Sequence, residues 1–422
     1  MAFESSSNTC REPKRTNKTS QSPLWTEDSQ PLPNLPCEII VEILSRLPVK
    51  SLLRLRCVCK SWRSLISNRK FVKTHVSLAS MNTDYSNHRL ILSSLNPLSD
   101  FKSCSLYSIL NDKSDSAVQL DCPLKVPDLQ VTIWGCCDGL VCIGTEREVF
   151  IWNPSTGKYK GLPNVEMWYC CYGKFAEYAF GYDECIDDYK VVGFFFDNRT
   201  SGSNPIMKVC TLRSDSWRRI GDFPHGVPED PSWVFVNRAL HWVHSSSIGE
   251  SNDIIVSLDL EKETYGEVSE PEYRDGYSYE ISLGVLNGCL SILCNYYDDC
   301  FDVWVMKEYG IRDSWTKLVV IPYVAHPLPS DCQYSTPLCV LEDGEVLPDM
   351  GCPYSTPLCV LENGEVLLDM VTQLVRFNPK DGTFSYPMIH NCSARLRAYP
   401  YIESLVSPDY VDDSGVQWQN QY

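Results

Sequence analysis

The chain has 422 residues, 43% of them hydrophobic and 22% charged, with a formal net charge of −17. That apolar fraction supports a sizeable core and excludes wholesale disorder, and no run approaches the ~18 apolar residues of a membrane helix. Twenty-one cysteines with no CxxC spacing, beside only seven histidines, argue against structural zinc and for cysteines as small buried hydrophobes. Residues 1–30 are rich in Ser, Thr, Lys and Glu and hold no apolar segment. A disordered tail is expected there, on a soluble protein of the cytoplasm and/or nucleus.

The charge is unevenly spread. Residues 35–79 carry nine Lys/Arg against Glu38 and Glu42, whereas residues 80–422 carry 24 basic and 48 acidic side chains. A short basic module on a large acidic body places a domain boundary near residue 80. It also disfavours nucleic acid, which the body would repel, and favours an acidic protein partner for the module. Within that module Leu35, Ile39, Ile40, Ile43, Leu44 and Leu47 form one apolar stripe at helical spacing. Pro36 suits the first turn and Pro48 stops the helix. A second helix is predicted over 49–59, a third over 60–67 with Trp62, Leu65 and Ile66, and a short fourth around Phe71, Val72 and Val76. Such a small module cannot hide this much aliphatic surface, so part of it should face a partner. Burying five or six such side chains yields on the order of 10 kcal/mol before the costs of association.

The run LPCEIIVEILSRLPVKSLLRLRCVCKSWRSLISNRKFV resembles an F-box of the plant type. The Leu35-Pro36 start, the Leu47-Pro48-Val49-Lys50-Ser51-Leu52 hinge and Cys57-Val58-Cys59-Lys60-Ser61-Trp62 carry the resemblance. It implies docking on the SKP-type adaptor of an SCF (SKP–cullin–F-box) ubiquitin ligase. The positions it implies as adaptor contacts or their supports are Leu35, Pro36, Ile39, Leu47, Pro48, Leu52, Leu53 and Trp62. Each could instead serve only the interior of the helical module.

From residue 80 onward short runs rich in Val, Ile, Phe, Tyr and Trp alternate with turn clusters, which is a strand pattern. Comparable strands begin near 90, 139, 190, 239, 289 and 345, a spacing of roughly 50 residues. Asp215-Ser216-Trp217 is echoed by Asp313-Ser314-Trp315, and Trp152-Asn153-Pro154 with Gly157 by Phe377-Asn378-Pro379 with Gly382. The period predicts a divergent six-bladed kelch-like β-propeller, with stacked β-sandwiches as the alternative fold. The phrases Cys137-Asp138-Gly139-Leu140-Val141-Cys142, IWNPSTGKYKGLP, YAFGYDECIDDYKVV, TLRSDSWRRI and DVWVMKEYGIRDSWTKL are similar to the plant F-box-associated interaction domain. The expected organisation is a tail over 1–30, an F-box over 31–79, a β domain over 80–407 and a second tail over 408–422. Relatives implied by the resemblance include regulators of immune-receptor turnover and F-box proteins that recognise S-locus ribonucleases.

Residues 334–350 are nearly copied at 354–370, with two differences in 17 positions. Each copy reads strand–turn–strand around Asp343-Gly344 or Asn363-Gly364. Pro348 in the first copy lacks a ladder donor where the second has Leu368, so copy 354–370 is expected in the sheet and copy 334–350 at an edge or extruded.

No P-loop, GxGxxG, GxSxG or HExxH occurs. His241-x-x-His244 falls in a strand, where such positions face opposite ways. Asp183, Glu184, Asp187 and Asp188, and likewise Asp298, Asp299 and Asp302, lie in turn-rich stretches and are expected to be solvated loop charge. Trp168, Tyr169 and Tyr172 are candidate target anchors, with a core role as the alternative. The expected protein is a non-catalytic substrate receptor without metal or cofactor. Its F-box would bind the adaptor and, through it, cullin; its β domain would capture a target protein for ubiquitination, with no membrane partner. A non-ligase interaction scaffold and a propeller enzyme are the rivals.

Overall fold

The computed structural model describes residues 35–94, 100–111, 115–124, 131–145, 148–164, 174–197, 206–221, 233–244, 253–296, 299–322, 356–369, 374–392 and 396–409. The chain divides into two compact units, Met1–Ile40 and Val41–Tyr422. The described part of the first comprises Leu35, Pro36 and the opening of α1 (Cys37–Ser45), where the amides of Ile39 and Ile40 bond back to the Pro36 carbonyl. The larger unit continues with α2 (Val49–Leu55), α3 (Lys60–Ser67) and α4 (Arg69–Ser80).

Two helix ends differ from the sequence expectation, and capping explains both. The second helix stops at Leu55 rather than running to Cys59, because Cys59 turns extended and its Sγ accepts the amide of Trp62 at 3.4 Å to start α3. The fourth helix is the longest of the four rather than short. Asn68 begins it, its side chain accepting the amides of Lys70 and Phe71 at 2.9 and 3.4 Å.

Strands follow in groups of four. Blade 1 contains β1 (His88–Ser94), β2 (Phe101–Ser105) and β4 (Val118–Gln119), with β3 (Asp115–Ser116) preceding the last. Blade 2 contains β5 (Thr132–Cys137), β6 (Leu140–Gly144), β7 (Val149–Trp152) and β8 (Tyr159–Gly161). Blade 3 is β9 (Lys174–Asp183), β10 (Asp188–Asp197), β11 (Ile206–Thr211) and β12 (Trp217–Arg219). Blade 4 is β13 (Val234–Val236), β14 (Ala239–His244), β15 (Ile254–Asp259) and β16 (Thr264–Val268). Blade 5 holds β17 (Glu280–Leu286), β18 (Cys289–Tyr296), β19 (Cys300–Met306) and β20 (Trp315–Pro322). Blade 6 holds β21 (Thr356–Val360), β22 (Val366–Asp369), β23 (Leu374–Asn378) and β24 (Thr383–Ser385). Beyond them β25 (Ile389–His390) runs parallel to β3, and β26 (Leu396–Ile402) pairs antiparallel with β1 along seven residues. The last strand thus supplies the innermost position of the first blade and closes a six-bladed propeller, not a pair of sandwiches.

Each blade is apolar on both faces, as its continuous hydrophobic runs require. In β10, Val191 and Phe195 point to a core shared with blade 2, while Val192 and Phe194 enter one shared with blade 4. In β1, Leu90 and Leu92 pack toward blade 6 and Ile91 toward blade 2. Two further cores lie between blades 4 and 5 and between blades 5 and 6. The strands foreseen near 90, 139, 190, 239 and 289 are the second strands of blades 1 to 5. The mark near 345 lies outside the described residues; its counterpart in the second copy is β22.

Repeated phrases have repeated uses. Trp217 and Trp315 open the outermost strands of blades 3 and 5, and their indole N–H groups bond the carbonyls of Pro163 and Ser269 in the connections entering those blades, both at 2.7 Å. In the turns after β7 and β23, the side chains of Asn153 and Asn378 accept amides two residues on, and Gly157 and Gly382 both adopt φ +71°. Of the duplicated segment, β21 and β22 form the inner half of blade 6, and copy 334–350 lies outside the described residues.

The two asparagines differ in reach. Asn153 is fully buried, and its amide group also donates to the carbonyls of Ser404 (3.1 Å) and Val406 (2.7 Å), tying blade 2 to the segment after β26. Asn378 donates only to the nearby Asp381. Asn153→Ala should therefore cost about 2–3 kcal/mol, seen as a lowered Tm in thermal unfolding, because two buried carbonyls lose their donor. Asn378→Ala should cost a third of that or less; equal losses would mean that only the local turn matters.

Candidate functional site

The helical stripe read from sequence splits in two when folded. Leu44, Val49, Leu52, Ile66, Phe71, Val72 and Val76 are buried. Leu35, Ile39, Ile43 and Val58 stay in solvent, at 56%, 46%, 49% and 62% exposure. Ile39 and Ile43 lie one turn apart on α1, so the ridge that carries them has no internal partner. Of the other predicted positions, Pro36 and Pro48 are exposed, and Leu47, Leu53 and Trp62 are half-buried. Leu52 is fully buried, so of the two roles foreseen for it, contact or support, it has the supporting one. The carbonyl of Leu47, past the end of α1, is capped by the buried His75 Nε2 at 2.9 Å.

Helix α4 docks on the β domain through charge. Arg69 and Lys73, one turn apart, converge on Asp187, with Arg69 Nη2 2.8 Å from Oδ2 and Lys73 Nζ on Oδ1, which Tyr182 also reaches with its hydroxyl. Asp187 stands in the β9–β10 turn at φ +52°. Partial burial works against its ionisation, but the bonds from Lys73 and Tyr182 and the charges of Arg69 and Lys73 prevail and hold its carboxyl below the ordinary 3.8. Beside it the half-buried Tyr189 donates to Asp138 Oδ2 at 2.9 Å, and burial raises the Asp138 carboxyl despite that bond. Part of the acidic partner expected for the basic module is therefore the chain's own. After α4, the hydroxyl of buried Tyr85 lies 2.9 Å from both Asn287 Oδ1 and the Val360 carbonyl oxygen, which share its one proton, fixing the connection to blades 5 and 6. This is why compactness groups α2–α4 with the β domain, where charge alone had placed a boundary at 79/80.

Of the acids in the turn-rich stretches, Glu184 and Asp299 are exposed as expected and Asp298 lies outside the described residues, but Asp183, Asp188 and Asp302 are not solvated loop charge. Asp183 and Asp188 are 2% and 6% exposed, and Asp302 is fully buried. Lys190, 3% exposed, sits 2.8 Å from both Asp183 and Glu263, and Glu263 in turn takes Arg218 at 2.7 Å. Asp302 is held by Lys317 (2.5 Å) and Arg274 (3.3 Å). These ions lock blade 3 to blade 4 and stiffen blade 5. His241 is buried with Nε2 2.6 Å from the Tyr309 hydroxyl, and His244 ends the same strand half-buried. Among the described residues no group of three or more His, Cys, Asp or Glu is placed to hold a metal, and no helix is long and apolar enough to cross a membrane. Trp168, Tyr169 and Tyr172 lie outside the described residues.

The Arg69–Lys73–Asp187 seam escaped sequence reading, although a signal existed: two cations four residues apart on a helix whose other face is apolar. What could not be read is that their acid lies 114 residues away from Lys73.

Comparison with known proteins follows the same division. An F-box domain matches residues 32–74, and an F-box associated beta propeller domain matches residues 94–347. An F-box/kelch-repeat protein of Arabidopsis thaliana is 32% identical over 89% of this chain and 96% of its own length. The F-box protein CPR1 of Arabidopsis thaliana is 30% identical, over 68% of this chain and 73% of its own. Among solved structures, a chain of a nidogen/laminin complex aligns with 75% of this chain and 99% of itself, at 9% identity and a TM-score of 0.41.

Because Asp187 ionises more readily in the folded protein, its pairing adds stability above about pH 4 and loses it as pH falls through the lower native value. Asp187→Asn keeps the turn but removes the charge. The variant should unfold slightly more easily at pH 7, by no more than about 1 kcal/mol since the pair is screened by solvent. The difference from the wild type should shrink as the pH falls below the ordinary carboxyl value, and also in 0.5 M salt, on the order of a 4–5 Å Debye length. A gap unchanged by acid would show that the ion pairs do not carry the seam.

Proposed function

The chain belongs to the plant F-box proteins that carry an F-box associated β-propeller, and from that membership we propose that it is the substrate-recognition subunit of an SCF-type ubiquitin ligase. F-box domains bind SKP-type adaptors, and the observation that carries the reading here is the set of aliphatic side chains left in solvent on a helical module that otherwise fills its own core. Leu35, Ile39, Ile43 and Val58 are that set. Removing such surface from water is worth about 1.5–3 kcal/mol per side chain, enough to support a lasting complex. The family resemblance adds the exposed Pro36 and Pro48 and the half-buried Leu47, Leu53 and Trp62 to the contact, and the buried Leu52 as a support.

The propeller then captures the target. Its role is not chemical: it holds the target near the ubiquitin-conjugating enzyme that cullin brings, raising the effective concentration of target lysines. Such an assembly works in the cytoplasm or the nucleus. For the target itself the sequence resemblance offers two classes, an immune receptor and an S-ribonuclease. Proximity labelling with and without proteasome inhibition separates them, since only the true target accumulates when degradation is blocked.

Adaptor docking is tested by co-purification. Ile39→Glu with Ile43→Glu should reduce capture of the SKP-type adaptor at least tenfold and leave Tm unchanged, because both side chains are already in water. Leu52→Glu would be uninformative, since it opens the core. Undiminished adaptor capture by the folded double variant would refute the contact assignment, and no adaptor binding by the wild type would leave a plain interaction scaffold.

A further inference from the structure

Between α2–α4 and the turns of blades 2 and 3 lies a cavity of about 650 Å³, in the size range of small-molecule sites. Six cationic side chains line it (Arg56, Lys60, Arg63, Arg69, Lys73 and Lys158) against two acidic ones, Asp188 and Asp409. Not all of that charge is available. Arg69 and Lys73 are taken by Asp187. Asp188 is occupied by backbone, its two oxygens accepting the amides of Tyr189 and Arg213 at 2.9 Å. Among the described residues Lys158 reaches a hydroxyl, Ser407 Oγ, at 3.3 Å. Arg56 makes one long bond to the Ile66 carbonyl, at 3.4 Å, and its Nε is buried with no partner. Burial, and then the charge of Arg63, pull the Arg56 guanidinium below its ordinary value, so two guanidiniums crowd one wall. An Arg56 Nε buried without a partner is costly, and the exposed Lys60, Arg63 and Lys158 bring further positive charge to the same cavity, against the exposed Asp409.

We propose that this cavity binds a small polyphosphate anion, held by Arg56, Lys60, Arg63 and Lys158. Arginine forks match phosphate oxygens in pairs, and lysines add point charge at the rim. A single phosphate would leave most of the volume empty. A long polyanion such as nucleic acid would meet the acidic body, where residues 80–422 carry 48 acidic against 24 basic side chains, whereas a compact anion meets only the cavity. Since one wall is helical and the other is propeller, an occupied site ties α2–α4 to the blades more firmly. The assignment does not depend on ligase membership.

Titration calorimetry and thermal unfolding of the full chain with sodium tripolyphosphate test it, with sulfate and a ten-residue polyglutamate as comparisons. Tripolyphosphate should bind saturably, at least tenfold more tightly than either comparison, and raise Tm. Lys60→Gln with Arg63→Gln, both exposed at the rim, should weaken binding at least tenfold and leave the unliganded Tm in place. Lys380→Gln, an exposed cation in the distant β23–β24 turn, should change nothing. No saturable binding, equal weakening by Lys380→Gln, or polyglutamate bound as tightly as tripolyphosphate would overturn the proposal; the last would make the cavity a site for acidic peptide.

Discussion

Everything in the β domain depends on each blade burying both of its faces. A four-stranded antiparallel sheet with two apolar faces has no stable existence in water, and two such sheets stacked would still leave outer faces wet. A ring satisfies every face at once, provided that it closes. Successive residues of a strand serve different neighbours here: Val141 packs with blade 1 and Cys142 with blade 3. Closure falls to β26, paired with β1 across more than 300 residues of chain, and to the Asn153 side chain that grips the segment following it. The loop-closure cost of such distant pairing is modest once the intervening blades are formed.

That constraint made the fold legible. Runs such as Val191-Val192-Gly193-Phe194 are continuous rather than alternating, and their recurrence at roughly 50 residues gave the blade count. The marks fell on second strands because those are flanked within the sheet on both sides and so carry the densest apolar signal. First strands were harder to see. Innermost strands range from the three residues of β13 to the ten of β9, and they depend on neighbouring blades, which local sequence does not display. The helical module was legible to within a turn, except where side-chain caps set the ends. A thiol at Cys59 and an amide at Asn68 decided those boundaries, and neither shows in a hydrophobic period.

Charge was the least legible feature. Clusters such as Asp183-Glu184-Cys185-Ile186-Asp187-Asp188 look like solvated turns, yet three of their carboxylates are engaged by Lys190, by backbone amides, and by α4. A lysine two residues beyond Asp188 offered a hint, since a strand places it on the same face as the aspartate. Its second partner, Glu263, lies a blade away and could be found only in three dimensions. Buried ions of this kind add little net stability over apolar packing, but they penalise any wrong register between blades. In a propeller whose blades look alike, that penalty discriminates one blade interface from another.

The helices and the propeller are joined in a way that suits a receptor. If α4 ran into a loose linker, a captured target would explore a large volume relative to the adaptor, and the local concentration of its lysines would fall accordingly. Instead Arg69 and Lys73 hold the β9–β10 turn, and Tyr85, itself at φ +57°, is bonded to blades 5 and 6. The contacts come from both sides of the ring, which resists tilting better than either would alone. The residues they reach, Asp187, Asn287 and Val360, lie in or beside first-to-second-strand turns. The second-to-third-strand connections and the links to the next blade leave from the opposite ends of the strands, away from this attachment. A seam made at the blade 3 turn and again at blades 5 and 6 holds α4 to the propeller from two sides at once.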